Sequence, residues 1–369
     1  MDLTKSRAIL IDVVSPQTSR EEGLTRLEEG ESLVGTYGGI VVVKTLQKKA
    51  IPDYKTFLTP GKITEIKVMA KELKASYLIL NNALKYRQIY ELSEALRKDK
   101  IQVWDRIDLI LKIFAKHART AEAKLEIELA SIHHMGPRIY GMGLELSRQG
   151  GGVGTSGIGE TNTEIMKRHL KEQARRIVDK LKQYQKVRAG HRDNRRRTGL
   201  KTVSIVGYTN AGKTSLLNRL SGRKEYVANE LFATLDTRVG KIYLPNAKVE
   251  ILITDTIGFI RDLPPELIKA FASTLSEAAN ADLLVHVIDA FDPKRDEKIQ
   301  VVEDILKSLG LESTPKIYVF NKMDLLPKKF SKKSLRERFE EYDPAFVSTV
   351  TGVGTSELIL QLEKKLFGP

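Results

Sequence analysis

Three short segments of the chain combine residue types that can bind phosphates and a nucleotide base. The first reads G-x-x-x-x-G-K-[ST] and comprises Gly207, Tyr208, Thr209, Asn210, Ala211, Gly212, Lys213 and Thr214. Glycines in this pattern let backbone N–H groups curl around phosphates, while the lysine adds a positive charge near the β- and γ-phosphates. The hydroxyl of Thr214 is a ligand for Mg²⁺. The segment is therefore predicted to be a P-loop, with Lys213 as its catalytic cation.

The second and third segments add a γ-phosphate contact and a base-reading group. The second comprises Asp255, Thr256, Ile257 and Gly258, and the third comprises Asn321, Lys322, Met323 and Asp324. A carboxylate at Asp255 can reach Mg²⁺ through water, and the Gly258 N–H can sense a γ-phosphate. A carboxylate at Asp324 can accept hydrogen bonds from guanine N1–H and from the exocyclic amine, whereas adenine presents the wrong edge. Together the three segments predict binding and hydrolysis of GTP with Mg²⁺.

Two further segments are predicted to touch the nucleotide. The first comprises Phe232, Ala233, Thr234, Leu235 and Asp236, in the position of a switch loop that closes over Mg²⁺ when γ-phosphate is present. Thr234 is its predicted metal ligand, and Thr237 is a competing candidate. The second follows the last strand pattern and comprises Ser348, Thr349 and Val350, which are predicted to offer backbone amides to the guanine oxygen.

The residue after Gly258 departs from the pattern of many small GTPases. They carry a water-orienting glutamine there, whereas this chain has Phe259 followed by Ile260. Neither side chain can position water, so slow intrinsic hydrolysis is expected, with the water oriented by a backbone group, a bound ion or a partner. Asn210 favours the ion, because an asparagine at this P-loop position resembles GTPases in which K⁺ offsets transition-state charge. The catalytic candidates are therefore Lys213, Thr234, Gly258 and Asn210.

The motifs follow short apolar runs that are typical of strands. From Thr202 the runs read TVSIVG, KIYLP, VEILITD, LLVHVID, KIYVFN and AFVS, with helical patterns between most of them. This alternation predicts a doubly wound α/β domain over 201–369, with its ligand beyond the carboxyl ends of the strands. Residues 1–104 show a similar rhythm in the runs RAILIDV, GIVVVKT, YLIL and IQVW. They are predicted to form a small α/β subdomain.

The region between these two domains is predicted to be helical. Apolar residues spaced by three or four predict one long helix from Arg106 to Leu129 and a second over 165–184. The two are expected to pair as an antiparallel hairpin over 105–190. Eight glycines between residues 141 and 159 predict a glycine-rich loop at its tip.

Basic residues are concentrated in the second helix and in a predicted linker at 191–200. Between Lys167 and Lys201 there are 14 Lys and Arg against three acids, which is most of the formal net charge of +14. Such an excess favours contact with a phosphate backbone, and a solvated helix face is the alternative.

Composition limits the setting and the chemistry. The chain has no cysteine, which excludes disulfides, thiolate zinc sites and cysteine nucleophiles and indicates a reducing compartment. No apolar run approaches the length of a membrane span, so a cytoplasmic location is expected. His133 and His134 have no carboxylate or histidine at metal-ligand spacing around them in the sequence. Both are predicted to be ordinary surface or core residues.

Several longer segments resemble HflX-type GTPases, over nearly the whole chain. They are WDRIDLILKIFAKHARTAEAKLEIELA from Trp104, GIGET at 157–161, FATLD from Phe232 and DTIGFI from Asp255. The resemblance implies a Ras-like G domain after the hairpin, with Mg²⁺ on Thr214 and Thr234. It also implies a cytoplasmic GTPase that binds the large ribosomal subunit, contacts ribosomal RNA and is linked to splitting or rescuing stalled ribosomes. Two residues depart from the family pattern, since Ile158 replaces a proline and Thr349 stands where alanine is more common.

Three functions are consistent with these features. In the leading one, γ-phosphate orders the loops around Thr234 and Gly258 and so repositions the N-terminal module on the ribosome. In the second, the N-terminal module is an RNA-binding or remodelling device that the nucleotide modulates. In the third, the basic stretch draws the protein, or a fraction of it, to anionic lipid, although the chain has no clear hydrophobic anchor. The protein is expected to be a monomer away from the ribosome.

Overall fold

The structure is a computed structural model that describes residues 3, 5–134, 162–222, 231–232, 238–261, 267, 278–327 and 332–368. The chain divides into two units, one of Met1–Lys116 and Lys124–Leu181 and the other of His117–Ala123 and Lys182–Pro369. The predicted glycine-rich loop at 141–159 lies outside the described residues. Among the residues described, no helix has the length and apolarity together that a bilayer-spanning helix needs.

A four-stranded parallel sheet organises the first unit. Its strands are β1 (Arg7–Val14), β2 (Ile40–Lys48), β3 (Tyr77–Leu80) and β4 (Gln102–Trp104), in the order β2-β1-β3-β4. All three strand pairs are parallel, and they are connected through α1 (Arg20–Tyr37), α2 (Pro60–Glu72) and α3 (Tyr86–Arg97). The strands β1 and β3 are nearly continuous apolar runs because a parallel sheet covered on both faces leaves them no solvent side. The predicted α/β subdomain is confirmed.

The long helix predicted from Arg106 to Leu129 is interrupted in the structure. The helix α4 (Arg106–His117) ends early, and residues 121–134 form a separate helix, α5. The Thr120 hydroxyl accepts a hydrogen bond from the Ala123 N–H at 3.2 Å, as the N-cap of a new helix does. A hydroxyl in this position competes with the backbone carbonyls for the amide, so a helix can restart although the apolar spacing continues. The prediction of one continuous helix was wrong.

The helix α6 (Asn162–Arg197) continues through most of the linker predicted at 191–200, and that prediction was also wrong. Lysine, arginine and glutamine are strong helix formers, so a high density of charge does not by itself end a helix. The helix ends where Gly199 adopts φ +67° and the Leu200 N–H donates to the Arg195 carbonyl at 3.1 Å. This is the geometry of a Schellman cap, in which glycine supplies the left-handed residue.

The helices α5 and α6 pair in the antiparallel sense predicted for the hairpin. Within the first unit, Gln173 Nε2 donates to Glu128 Oε1 at 2.7 Å. Within the second unit, Arg188 Nη2 pairs with Glu122 Oε2 at 2.6 Å. Residues later in α6 therefore meet residues earlier in α5, which is the order of an antiparallel pair.

A six-stranded sheet organises the second unit. Its strands are β5 (Thr202–Gly207), β6 (Arg238–Leu244), β7 (Val249–Asp255), β8 (Leu283–Asp289), β9 (Lys316–Asn321) and β10 (Ala345–Phe346), in the order β10-β9-β8-β5-β7-β6. Every pair is parallel except that of β6 with β7. All six predicted strands are present. Because carboxyl ends of parallel strands meet at one edge, this order brings together the segments that follow β5, β7, β9 and β10.

Four described helices accompany this sheet. They are α7 (Lys213–Ser221), α8 (Arg295–Ser308), α9 (Lys332–Arg338) and α10 (Thr355–Phe367). Side chains of the central strands form one buried cluster with Leu216 and Leu217 of α7 and with Leu358 and Leu362 of α10. The predicted doubly wound α/β fold is confirmed, and the P-loop connects its central strand β5 to α7.

Candidate functional site

The P-loop runs from β5 into α7, and close contacts require two of its glycines. Gly207 adopts φ +150° and Gly212 adopts φ +94°, conformations that residues with a side chain rarely take. A Cβ on Gly207 would lie 2.4 Å from the carbonyl oxygen of Val287, and a Cβ on Gly212 would lie 2.2 Å from Nδ2 of Asn321. The loop therefore passes against β8 and against the third motif with no room for a side chain.

Lys213 is the first residue of α7, and its side chain folds back over the loop. Its Nζ donates a hydrogen bond to the Tyr208 carbonyl at 2.8 Å, and the residue is buried. Burial lowers the pKa of Lys213 to about 8, against the charge of Asp255, which raises it. The ammonium of the free protein thus loses its proton as the pH rises through about 8, and negative phosphates beside it would raise its pKa again.

We expect the affinity for GDP to fall as the pH rises above about 8, because the free protein must then take up a proton at Lys213 when the phosphates bind. Titration calorimetry at about pH 9, in two buffers of different ionisation enthalpy, should show this proton uptake. In the K213R variant the guanidinium stays protonated, so the uptake should disappear while any titration of guanine itself is retained. Equal proton uptake by the two proteins would contradict the assignment.

Two backbone hydrogen bonds join the P-loop to the second motif. The Thr209 N–H donates to the Phe259 carbonyl at 2.8 Å, and the Phe259 N–H donates to the Gly207 carbonyl at 3.1 Å. Gly258 is held closely here, since a Cβ on it would lie 2.7 Å from Cγ2 of Thr209 and 3.0 Å from Nζ of Lys213. The side chain of Phe259 is fully buried, so it cannot contact a water in the phosphate site. This agrees with the expectation that another group orients the water.

Thr214 and Asp255 form an oxygen pair at the same edge of the sheet. The Thr214 hydroxyl donates to Oδ2 of Asp255 at 2.6 Å. Asp255 ends β7 and is paired in register with Ile205 of β5, which places its carboxylate beside the P-loop. Hydroxyl and carboxylate oxygens are the hard ligands that Mg²⁺ prefers. The donor set therefore fits Mg²⁺, while Thr234, the other predicted ligand, lies outside the described residues.

Asn321 connects the third motif to two other predicted segments. It ends β9 and is almost fully buried. Its Nδ2 donates to the Ala211 carbonyl at 3.0 Å, and its Oδ1 accepts from the Thr349 N–H at 3.2 Å. One amide side chain thus links the P-loop to the segment Ser348–Val350. Because the Thr349 contact is made by the backbone, a threonine there in place of alanine leaves it intact.

Asp324 stands exposed in a short 3₁₀ helix, Met323–Leu325, where a base can reach it. The Ser348 hydroxyl donates to Oδ1 of Asp324 at 2.5 Å. The residue before the turn, Lys322, adopts φ +63° and pairs through Nζ with Oδ2 of Asp289 at 2.7 Å. Only a backbone role was predicted for Ser348, and Asp289 was not among the predicted site residues. Nothing in the sequence signals either contact, because the partners belong to different strands.

The structure thus brings the P-loop, Asp255–Gly258, Asn321–Asp324 and Ser348–Val350 to one edge of the second sheet. Within the last segment, Val350 is 79% exposed. Of the predicted switch loop, Phe232 is described, and it is buried with φ +57°. The rest of that loop lies outside the described residues: Ala233, Thr234, Leu235 and Asp236, with the competing Thr237. The nucleotide and metal roles assigned to all these residues stay predictions.

His134, in the first unit, has carboxylate neighbours that the sequence spacing did not reveal. Its Nε2 lies 3.3 Å from Oδ1 of Asp105 and 3.3 Å from Oδ1 of Asp108. The absence of partners at metal-ligand spacing in the sequence did not exclude these contacts, because α5 returns towards the start of α4. The three side chains lie close enough together to hold a cation. Both carboxylates, however, already accept backbone N–H groups, Asp105 from Leu84 at 3.1 Å and Asp108 from Asp105 at 3.2 Å.

Three family models match successive parts of the chain. One described as GTP-binding GTPase N-terminal matches residues 25–115, and one described as GTP-binding GTPase Middle Region matches residues 117–195. A third, described as 50S ribosome-binding GTPase, matches residues 202–322. The matches cover β2 to β4 of the first sheet, most of the helical region, and β5 to β9 of the second sheet.

Individual relatives extend the similarity to almost the full chain. The GTPase HflX of Caldanaerobacter subterraneus subsp. tengcongensis is 42% identical over 369 residues, which cover 98% of this chain and 81% of that protein. The GTPase HflX of Escherichia coli is 36% identical over 362 residues, which cover 98% and 83%. A crystal structure of a GTP-binding protein from Sulfolobus solfataricus in complex with GDP is similar with a TM-score of 0.52 and 25% identity, over 98% of this chain and 99% of that one.

Proposed function

The chain belongs to the HflX family of GTPases, and from that premise we propose that it is a GTP-controlled factor that binds the large ribosomal subunit. As a member of this family it binds GTP and hydrolyses it to GDP and phosphate. The proposal assigns nucleotide binding to residues 201–369 and contact with ribosomal RNA to the helical region at 105–200. Splitting or rescue of stalled ribosomes is the proposed outcome of that contact.

The nucleotide chemistry that we propose follows from the position of each group at the sheet edge. The backbone N–H groups of the P-loop surround the phosphates, and the ammonium of Lys213 offsets charge that develops on them. The Thr214 hydroxyl, with the Asp255 carboxylate acting through water, would hold Mg²⁺, which would offset negative charge on the phosphates. The carboxylate of Asp324, held by Ser348, selects guanine. Gly258 lies close to the Lys213 ammonium, and its N–H is proposed to contact a γ-phosphate.

Hydrolysis is proposed to be slow without help and faster in K⁺. The fully buried side chain of Phe259 cannot orient water, and Asn210 is an exposed P-loop residue with φ +62°. Its amide oxygen is a suitable ligand for a weakly hydrated cation that would offset transition-state charge. We expect turnover to be higher in K⁺ than in Na⁺ at the same ionic strength, and an N210A variant to lose that difference. Identical turnover of the wild-type protein in the two salts would refute the role of the ion.

One observation carries the proposal of ribosome binding. The match of residues 202–322 to the 50S ribosome-binding GTPase model occurs in a chain with 14 basic against three acidic residues between Lys167 and Lys201. Most of that basic segment lies in α6, where side chains such as Lys171, Lys180 and Lys186 are exposed. Cations displayed along an exposed helix suit contact with the phosphates of folded RNA, which is bound mainly through charge and shape.

Co-sedimentation of the full chain with isolated large subunits tests this function. A non-hydrolysable GTP analogue should increase binding roughly 5- to 150-fold over GDP, the range of a coupling energy of about 1–3 kcal/mol. Binding should weaken with salt, and a K180Q/K186Q double variant should show a shallower salt dependence with unchanged GTP hydrolysis in solution. Equal binding with both nucleotides would exclude the switch and favour an RNA-binding device without nucleotide control. Binding to anionic vesicles in preference to subunits would favour the membrane regulator.

A further inference from the structure

We propose that the first unit carries a separate contact for single-stranded RNA, in which an unpaired base stacks on Tyr54 and the cations around it bind the flanking phosphates. We call this surface the Tyr54 platform, comprising Tyr54 and Arg87 with the lysines Lys49, Lys55 and Lys85. It lies in the loop between β2 and α2 and in the first turn of α3. This surface is separate from the nucleotide site and from the helical region, because neither of them contributes a residue to it.

The platform is centred on an aromatic ring held out into solvent. Tyr54 is 73% exposed, although large aromatic side chains are usually buried. Three residues further on, the same loop returns to the core, where Phe57 and Leu58 are buried. An exposed aromatic ring on a loop with buried anchors is a typical arrangement for stacking a base.

Hydrogen bonds within the loop fix the backbone on both sides of Tyr54. The Asp53 N–H and carbonyl exchange hydrogen bonds with those of Phe57, both at 3.1 Å. The Asp53 carboxylate accepts from the Lys55 N–H at 2.9 Å and from the Thr56 N–H at 3.0 Å. This Asx turn fixes the backbone conformation of the residues before and after Tyr54. A ligand that stacks on it therefore need not order the loop, which lowers the entropic cost of binding.

A side chain of α3 fixes this loop against the helix that supplies the remaining cations. Gln88 is buried, its Nε2 donates to the Asp53 carbonyl at 3.0 Å, and its Oε1 accepts from the Lys85 N–H at 3.1 Å. The next residue back, Arg87, places its guanidinium 5.2 Å from the centroid of the Tyr54 ring. The guanidinium thus lies over one face of the ring as a cation–π partner, and the proposed base would stack on the other face.

Charge favours RNA over a protein as the occupant. The loop and the start of α3 carry four basic residues, Lys49, Lys55, Lys85 and Arg87, of which Arg87 contacts the ring. The Asp53 carboxylate in the same loop already accepts hydrogen bonds from two backbone N–H groups. The other acid, Glu91, lies 3.9 Å from Nε of Arg87 and neutralises only part of its charge. An aromatic ring can stack on any nucleobase, and the excess of cations can bind the negatively charged phosphodiester groups on either side of that base.

The test uses the full chain with GDP and a fluorescent single-stranded oligoribonucleotide that carries 5-iodouridine. The Y54A variant should bind the oligonucleotide roughly 5- to 150-fold more weakly, which corresponds to about 1–3 kcal/mol for one stacked base. The Y54F variant keeps the ring and should bind within about twofold of wild type. Y243A removes a tyrosine that is 57% exposed in the second unit and serves as the matched control, with no loss expected. Irradiation of the wild-type complex should join the iodouridine to Tyr54.

Salt dependence separates stacking from charge. The loss in Y54A should be the same at low and high salt, whereas R87Q should reduce the slope of log affinity against log salt by about 0.7. Wild-type affinity in Y54A, or no crosslink at Tyr54, would overturn the proposal. Normal oligonucleotide binding by Y54A with weakened binding to large subunits would also overturn it, in favour of a protein contact. Because the oligonucleotide is free in solution, failure of ribosome binding as such leaves this result unaffected.

Discussion

The D324N variant should bind xanthosine triphosphate in preference to GTP. The Asp324 carboxylate is exposed in the 3₁₀ helix Met323–Leu325 with Ser348 bonded to one oxygen, so its other lone pairs are available to a base. An asparagine in its place loses two charge-assisted hydrogen bonds to guanine, each worth about 1.5–3 kcal/mol, and offers a donor where guanine also offers one. Affinity for GTP should fall roughly 10²- to 10⁴-fold, as measured with fluorescent nucleotide analogues.

The side chain that supports Asp324 provides the control. S348A removes the hydroxyl that donates to Asp324 at 2.5 Å but keeps the carboxylate that reads the base. It should weaken binding of GTP by only about tenfold, and it should not favour xanthine, because a single supporting hydrogen bond is lost. If D324N retained its selectivity for guanine, the assignment of Asp324 as the base-reading group would be wrong.

The G212A variant should lose nucleotide binding almost completely. The new Cβ would lie 2.2 Å from Nδ2 of Asn321, and this amide side chain holds the P-loop to the segment that follows β10. Asn321 is nearly fully buried and has no space to move aside without breaking its hydrogen bonds to Ala211 and Thr349. We expect at least a roughly 100-fold loss of affinity for GDP, because the displaced amide would disturb both the phosphate and the guanine loops.

A substitution at a second glycine in the same unit distinguishes the effect of this clash from the effect of backbone strain alone. Gly222 caps the other end of α7 with φ +67°, and a Cβ on it would meet nothing within 4 Å. G222A should therefore cost only the strain of the left-handed conformation, about 1–2 kcal/mol in the free energy of unfolding, and should bind GDP normally. Equal loss of GDP binding in G222A and G212A would show that the contact with Asn321 is not the cause.

The edge that carries the site could be predicted because each motif follows an apolar strand. The alternation of strand and helix from Thr202 onwards requires a parallel sheet, and the carboxyl ends of its strands must share one edge. The contacts that join the motifs could not be predicted in the same way. The Ser348 hydroxyl on Asp324 and the pair of Lys322 with Asp289 depend on strand order and register, which short-range patterns do not contain.

The errors in the helical region have local physical causes. The apolar spacing from Arg106 to Leu129 continues across Thr120, and only the hydroxyl contact to the Ala123 N–H marks the new helix. The basic residues after position 190 were interpreted as a linker because of their charge, yet their backbone propensity is helical. A high density of charged residues indicates that a segment is exposed to solvent, but it says little about whether the backbone is helical.

The bridge between Tyr208 and Phe259 has a consequence for the free energy of binding nucleotide. Because two backbone hydrogen bonds join these loops in the folded chain, Tyr208 and Phe259 are held together before any nucleotide binds. A mobile loop would lose backbone entropy each time nucleotide bound. Here that entropy has already been lost when the protein folds. A larger share of each phosphate contact is then retained as affinity.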